Sequence, residues 1–142
     1  MTDTDTNTNT ELKNFITEWR EDSNGCSKVF QKLKTHLERH EEIAFDFVSR
    51  PGVTYSLRPS RNGQKERPLF AMIDVIDEDE RWISVCFYED LITDPDDLGD
   101  LVPDGLLGQD GYCFDIDADD PAMVAYLCQR LDEAYEKAAA FC

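Results

Sequence analysis

Basic residues are scarce in this 142-residue chain: 14 Lys and Arg stand against 31 Asp and Glu, a formal net charge of -17. Neutralising nucleic-acid phosphates needs a cationic face, so general nucleic-acid binding is not expected. Long apolar runs are missing as well. No stretch approaches the roughly 18 apolar residues of a membrane span, so no membrane partner is expected. The opening MTDTDTNTNT has neither the basic nor the apolar segment of a secretory signal. Cysteines number five, an odd count, and no CxxC pair occurs. A reduced, cytoplasmic protein without a disulfide framework is the expectation. The phosphate-cradling GxxxxGK[ST] and GxGxxG patterns are absent, as are GxSxG and SxxK. No cofactor is therefore expected, and these motifs assign no catalytic residue, so the sequence leans away from an enzyme without deciding it.

What is present suits one domain with a real core: apolar residues are 41% and aromatics 11%. Charge is unevenly spread. Residues 11–68 hold 11 bases and 9 acids, a net of +2, while residues 69–142 hold 3 and 20, a net of -17. Residues 89–120 contain twelve acids and no base. Such a block repels itself, stays hydrated and attracts basic partners.

Residues 1–9 carry no hydrophobe after Met1 and are expected as a disordered tail, with residues 10–142 as one domain. Thr8 and Glu11 match a capping box, and Leu12, Phe15, Ile16 and Trp19 follow helical spacing. The first helix is expected over 9–22, stopped by Ser23-Asn24-Gly25. Cys26, Val29, Phe30, Leu33 and Leu37 then form one stripe of a second helix ending near Glu41. The period next switches to two. Ile43, Phe45 and Phe47, then Val53, Tyr55 and Leu57, read as strands around the Pro51-Gly52 turn. Leu69–Ile76 and Trp82–Tyr88 read as two more, and Tyr112–Asp117 as the last. Asp120 with Pro121 starts a final helix carrying Val124, Leu127, Leu131, Ala134, Tyr135 and Ala138. Residues 89–111 are expected as a long acidic loop. The order is α-α-β-β-β-β-β-α: an α+β fold with a mostly antiparallel five-stranded sheet and three helices on one face.

The segments Ile43-Ala-Phe-Asp-Phe, Leu69-Phe-Ala-Met-Ile and Trp82-Ile-Ser-Val-Cys-Phe resemble the strands of small bacterial α+β domains of unknown function. The resemblance covers most of the chain after residue 10. It implies the fold and carries across no activity and no functional residue.

Candidate sites follow from residue types and spacing. Trp82 and Tyr88 alternate with Ile83, Val85 and Phe87, so they belong to the outer face with Ser84 and Cys86. An outer face without a helix is a place for a partner or a second copy. Arg50, Arg58, Arg61, Lys65 and Arg67 give residues 50–68 a net of +4; Arg58 and Arg61 are candidate anion contacts, against the bland role of charges guarding a sheet edge. His36 and His40 share a helix face and can grip zinc at that spacing, but no third ligand follows from spacing. Helix-edge packing is the plainer role for both. Asp94, Asp96, Asp97 and Asp100 offer oxygens on a short loop, yet Leu98 and Gly105 stand where calcium-loop ligands belong. Cys26, Cys86 and Cys128 read as small core residues. Cys113 alternates away from Tyr112, Phe114 and Ile116, and Cys142 is an exposed end.

The function expected is a small acidic interaction module, binding a protein partner or itself as a homodimer. Two alternatives stand beside it. One is an enzyme or small-ligand binder with a pocket between sheet and long loop, using His36, His40, Arg58 and Trp82. The other is an acidic nucleic-acid mimic or a cation-binding protein.

Overall fold

Period-two alternation becomes a six-stranded antiparallel sheet in the computed structural model, which describes residues 3–20 and 22–142, the side chains of residues 3–7 excepted. The strands are β1 (Ile43–Arg50), β2 (Thr54–Arg61), β3 (Ala71–Ile76), β4 (Trp82–Tyr88), β5 (Asp100–Leu106) and β6 (Gln109–Ile116). Their order is β1-β2-β3-β4-β6-β5. The helices are α1 (Asp3–Glu18), α2 (Cys26–Leu37) and α3 (Pro121–Lys137).

The register fixes which side chains share a face. Phe47, Leu57, Ile73, Val85 and Phe114 stand opposite one another across five strands. Phe15 of α1 packs on Phe47, with ring centroids 5.5 Å apart. Tyr126 of α3 packs on Phe114 at 6.1 Å. Phe30 of α2 meets Phe15 edge-on at 5.6 Å. All three helices therefore cover the same face, and the core lies between them and the sheet. The reverse row is Val48, Ser56, Asp74, Ser84 and Asp115, and none of the three helices covers it.

Several boundaries differ from expectation; α2 stops at Leu37 rather than near Glu41, which leaves His40 beyond its end. The structure has six strands, not five, because the 89–111 segment contains β5 after a short 3-10 turn at Glu89–Leu91. Its sequence hides a strand: Asp100, Pro103, Asp104 and Gly105 lie in an edge strand, where pairing on one side only tolerates them. α1 begins at Asp3, ahead of the Thr8–Glu11 box, and ends at Glu18 rather than 22. Thr8 thus lies inside the helix and is buried; residues 1 and 2 of the expected tail lie outside the described residues. The expected start of α3 matches: Asp120 accepts bonds from the Ala122 and Met123 amides at 3.1 and 3.3 Å, and Pro121 follows.

β5 turns into β6 through Leu107-Gly108, both at positive φ, 50° and 84°. That pair of dihedrals is the two-residue hairpin turn that Asn-Gly favours, and leucine pays steric strain there. Leu107→Asn is expected to raise stability by about 0.5–1 kcal/mol in a denaturant titration. A loss of stability would mean that Leu107 packs on the fold.

Candidate functional site

The helix-free face carries a mixed set of side chains. Val48 of β1, Met72 and Ile76 of β3, and Trp82 of β4 are half-buried on it. Arg58 donates from Nε to Ser56 Oγ at 3.0 Å. Asp74 sits between Ser56 and Ser84 in register, and its Oδ1 is enclosed without a hydrogen-bond partner among the described residues. Burial pushes the Asp74 carboxyl above the usual range, with Ser56 and the Arg58 and Arg50 guanidinium groups pulling it back.

Trp82 stands at one end of this face. Its indole Nε1 donates to Glu78 at 3.2 Å. Around it Glu78, Asp79, Glu80, Asp115 and Asp117 line an open cleft of about 720 Å³. An aromatic ring ringed by carboxylates suits a cationic side chain, since both the ring face and the charges attract it. Tyr88, at the other end of β4, is not on offer. It is 1% exposed, beneath Arg67, whose guanidinium also lies over Phe141. The strand ends where the 62–70 connection and the C-terminus close over it, with the Lys65 amide donating to Phe141 O at 2.8 Å.

The cysteine expectation is corrected on this face. Cys86 and Cys113 are directly opposed in β4 and β6 and joined by a disulfide, with Cα atoms 4.1 Å apart. Both had been placeable on the outer face by alternation; the missing fact was that β4 and β6 are neighbours, which β5 obscures. Cys26, Cys128 and Cys142 are free. Cys26 is fully buried, and burial together with Asp22, Asp117 and Asp119 pushes its thiol to about 11. That is the opposite of an activated nucleophile.

His36 and His40 face α3, not solvent alone. Each Nε2 lies 2.8 Å from the same oxygen of Asp132. Arg39 Nη1 lies 3.0 Å from His36 Nδ1. A guanidinium only donates, so His36 Nδ1 accepts and its Nε2 carries the proton given to Asp132. His40 stacks on Tyr135 with centroids 3.9 Å apart. His36 on α2 and His40, three residues past its end, together clasp α3. Spacing in one helix could not reveal its partner, which is 92 residues from His40.

The basic stretch disperses on folding. Arg58 lies on the helix-free face, while Arg61 donates to Tyr135 O at 3.1 Å on the helical side. Arg67 makes a two-pronged pair with Asp90, at 2.8 and 3.0 Å. Its charge is thus satisfied by the chain's own acidic segment. The four residues named for a small-ligand site, His36, His40, Arg58 and Trp82, therefore do not converge.

Asp94 proves to be a hub. Its carboxylate accepts from the Leu98 and Gly99 amides at 3.0 and 2.9 Å, from Tyr112 at 2.9 Å and from Tyr126. Gly99 is required here, because a Cβ would stand 2.6 Å from the Tyr112 ring. Burial raises the Asp94 carboxyl, and the four donors, Tyr126 foremost, overcome it and hold it at about 2. Asp96, Asp97 and Asp100 are exposed nearby. Among the described residues no group of three or more His, Cys, Asp or Glu is arranged to hold a metal ion.

The fold and this geometry define a class: an acidic α+β domain with helices on one face of an antiparallel sheet. No family model, curated protein or solved structure matches the chain. No helix among the described residues is long and apolar enough to cross a membrane.

Proposed function

We propose that the chain is a protein-interaction module that docks a basic partner on the helix-free face of its sheet. One observation carries this: Val48, Met72, Ile76 and Trp82 are half-buried there with no helix over them. Carboxylates border the same face on the β4–β6–β5 side, with Trp82 in the acidic cleft. Apolar area supplies affinity, and the acidic field speeds encounter and selects the sign of the partner. The scattered placement of His36, His40 and Arg58 gives the enzyme reading no comparable support. The proposed setting is the cytoplasm, which the three free thiols support and the Cys86–Cys113 bond opposes, since disulfides persist where the medium is oxidising.

The test is a fluorescence titration of the full chain with the synthetic peptide (Lys-Leu)4. Trp19 is buried and Trp82 half-exposed, so docking should shift Trp82 emission to the blue. The shift should vanish in Trp82→Phe, and affinity should fall about ten-fold between 50 and 200 mM salt. Absence of binding, or binding that leaves emission and salt response flat, overturns the proposal.

A further inference from the structure

We propose that the exposed edge at β5 and its hairpin turn form part of the docking surface, and that the occupant is an extended segment alternating lysine or arginine with apolar residues. This rests on the interaction reading above and adds where the partner grips and what it is made of.

The first support is where apolar surface is left over. Among the described residues five large apolar side chains stand exposed, and four of them are Leu98, Leu101, Val102 and Leu107, at 49, 53, 38 and 52%. They fall within ten residues of chain, on β5 and its two flanking turns, and they wrap the edge: Leu101 is in register with Tyr112 and Phe87 on the helical side, Val102 with Gly111 and Tyr88 on the helix-free side. Scattered exposed leucines need no explanation, but a concentration of them on one edge does.

Leu107 adds a second, independent support. It holds φ at 50°, where Asn or Gly would sit without strain. Its side chain is half-exposed, so burial within the fold recovers little of that cost. A strained backbone kept for an outward apolar side chain is a feature of contact surfaces rather than of stability.

Backbone geometry limits how the edge is used. A Cα separation of 4.1 Å marks Cys86 and Cys113 as a non-hydrogen-bonded pair. Cys113 therefore turns its amide and carbonyl toward β5, where it faces Asp100. Asp100 and Val102 bond inward, and Leu101 presents its amide and carbonyl to the free side. Two residues on, Pro103 has no N–H to give. A partner strand finds few backbone bonds here, so side chains must carry the contact.

Charge selects the occupant. Asp96, Asp97, Asp100, Asp104 and Asp110 share the same stretch of chain with the four apolar side chains, and no base occurs from 89 to 120. A second copy pairing at this edge would bring carboxylates against carboxylates. A basic, apolar segment neutralises them while covering the leucines.

The experiment compares (Lys-Leu)4 with (Lys-Gly)4 and (Glu-Leu)4 on the full chain and on Leu101→Ser/Leu107→Ser. Both leucines are exposed, so a melting curve within a few degrees of the parent checks that the variant folds. The parent is expected to bind (Lys-Leu)4 at least ten-fold tighter than (Lys-Gly)4 and (Glu-Leu)4 not measurably. In the variant the gap between the two basic peptides should shrink below three-fold. An unchanged gap overturns the β5 assignment while leaving the interaction reading intact. Failure of every peptide to bind the parent overturns both. A doubled mass in light scattering that the same variant abolishes makes the occupant a second copy and overturns the basic-segment proposal.

Discussion

Reduction of the Cys86–Cys113 bond is expected to lower the melting temperature by about 10 °C. The two cysteines are 27 residues apart, and closing a loop of that length restrains the unfolded chain by roughly 3–4 kcal/mol in the chain-entropy model. For a chain of this size the melting entropy converts each kcal/mol to a few degrees. The loop encloses the 3-10 turn, the Asp94 hub and β5, in the segment richest in like charge. The reduced chain should still fold, since β4 and β6 remain paired over Ile83–Tyr88 and Gly111–Ile116. Calorimetry with and without a dithiol reads the effect, and Cys86→Ser/Cys113→Ser should reproduce it without reductant. Superimposable melts before and after reduction would show that the bond contributes nothing.

Asp94→Ala should cost about 3 kcal/mol at neutral pH. Its carboxylate receives two backbone amides and two tyrosine hydroxyls, and bonds to an ionised acceptor are worth more than neutral ones. Partial solvent exposure of Asp94 keeps the sum well below four full bonds. The pH dependence has a definite sign. The folded carboxyl is held at about 2, below the ordinary value near 3.9. A depressed carboxyl stabilises fully above its unfolded value and loses that contribution as pH falls through the folded one. The gap between parent and variant should therefore be constant above about pH 5 and close between roughly pH 4 and 2. The same contact holds Tyr112 at about 12, through its bond to Asp94 first and burial second. Paired urea titrations across this range measure the gap; one that persists at pH 2 would assign the loss to packing rather than charge.

Much of the architecture was legible in the residues. Alternation in Ile43–Phe47 and Trp82–Tyr88 placed side chains on the faces where the sheet holds them, and the apolar run Leu69–Ile76 marked a central strand, which spans Ala71–Ile76. The stripes of α2 and α3 and the Asp120 cap were equally plain. β5 was not, because an edge strand with exposed positions shows no burial period to read. The candidate sites depended on pairings between distant segments. Asp132 beneath His36 and His40, Cys113 beside Cys86, and Tyr126 on Asp94 all require strand order or helix docking, which local spacing does not encode. Tyr88 had the right parity but lies at a strand end that Arg67 covers. The turn at Leu107-Gly108 gave no local signal for the missing hairpin, because leucine stands where Asn would mark it.

Oxidative footprinting of the free and peptide-loaded chain tests the central claim most directly. Met72 and Trp82 report the helix-free face, and Met123 on α3 reports the opposite layer. In the free chain Met72 and Trp82 should both react, and saturating (Lys-Leu)4 should protect them while Met123 stays unchanged. Met72 and Trp82 already unreactive in the free chain, or protection that falls on Met123 instead, would contradict an open face built to receive a basic partner.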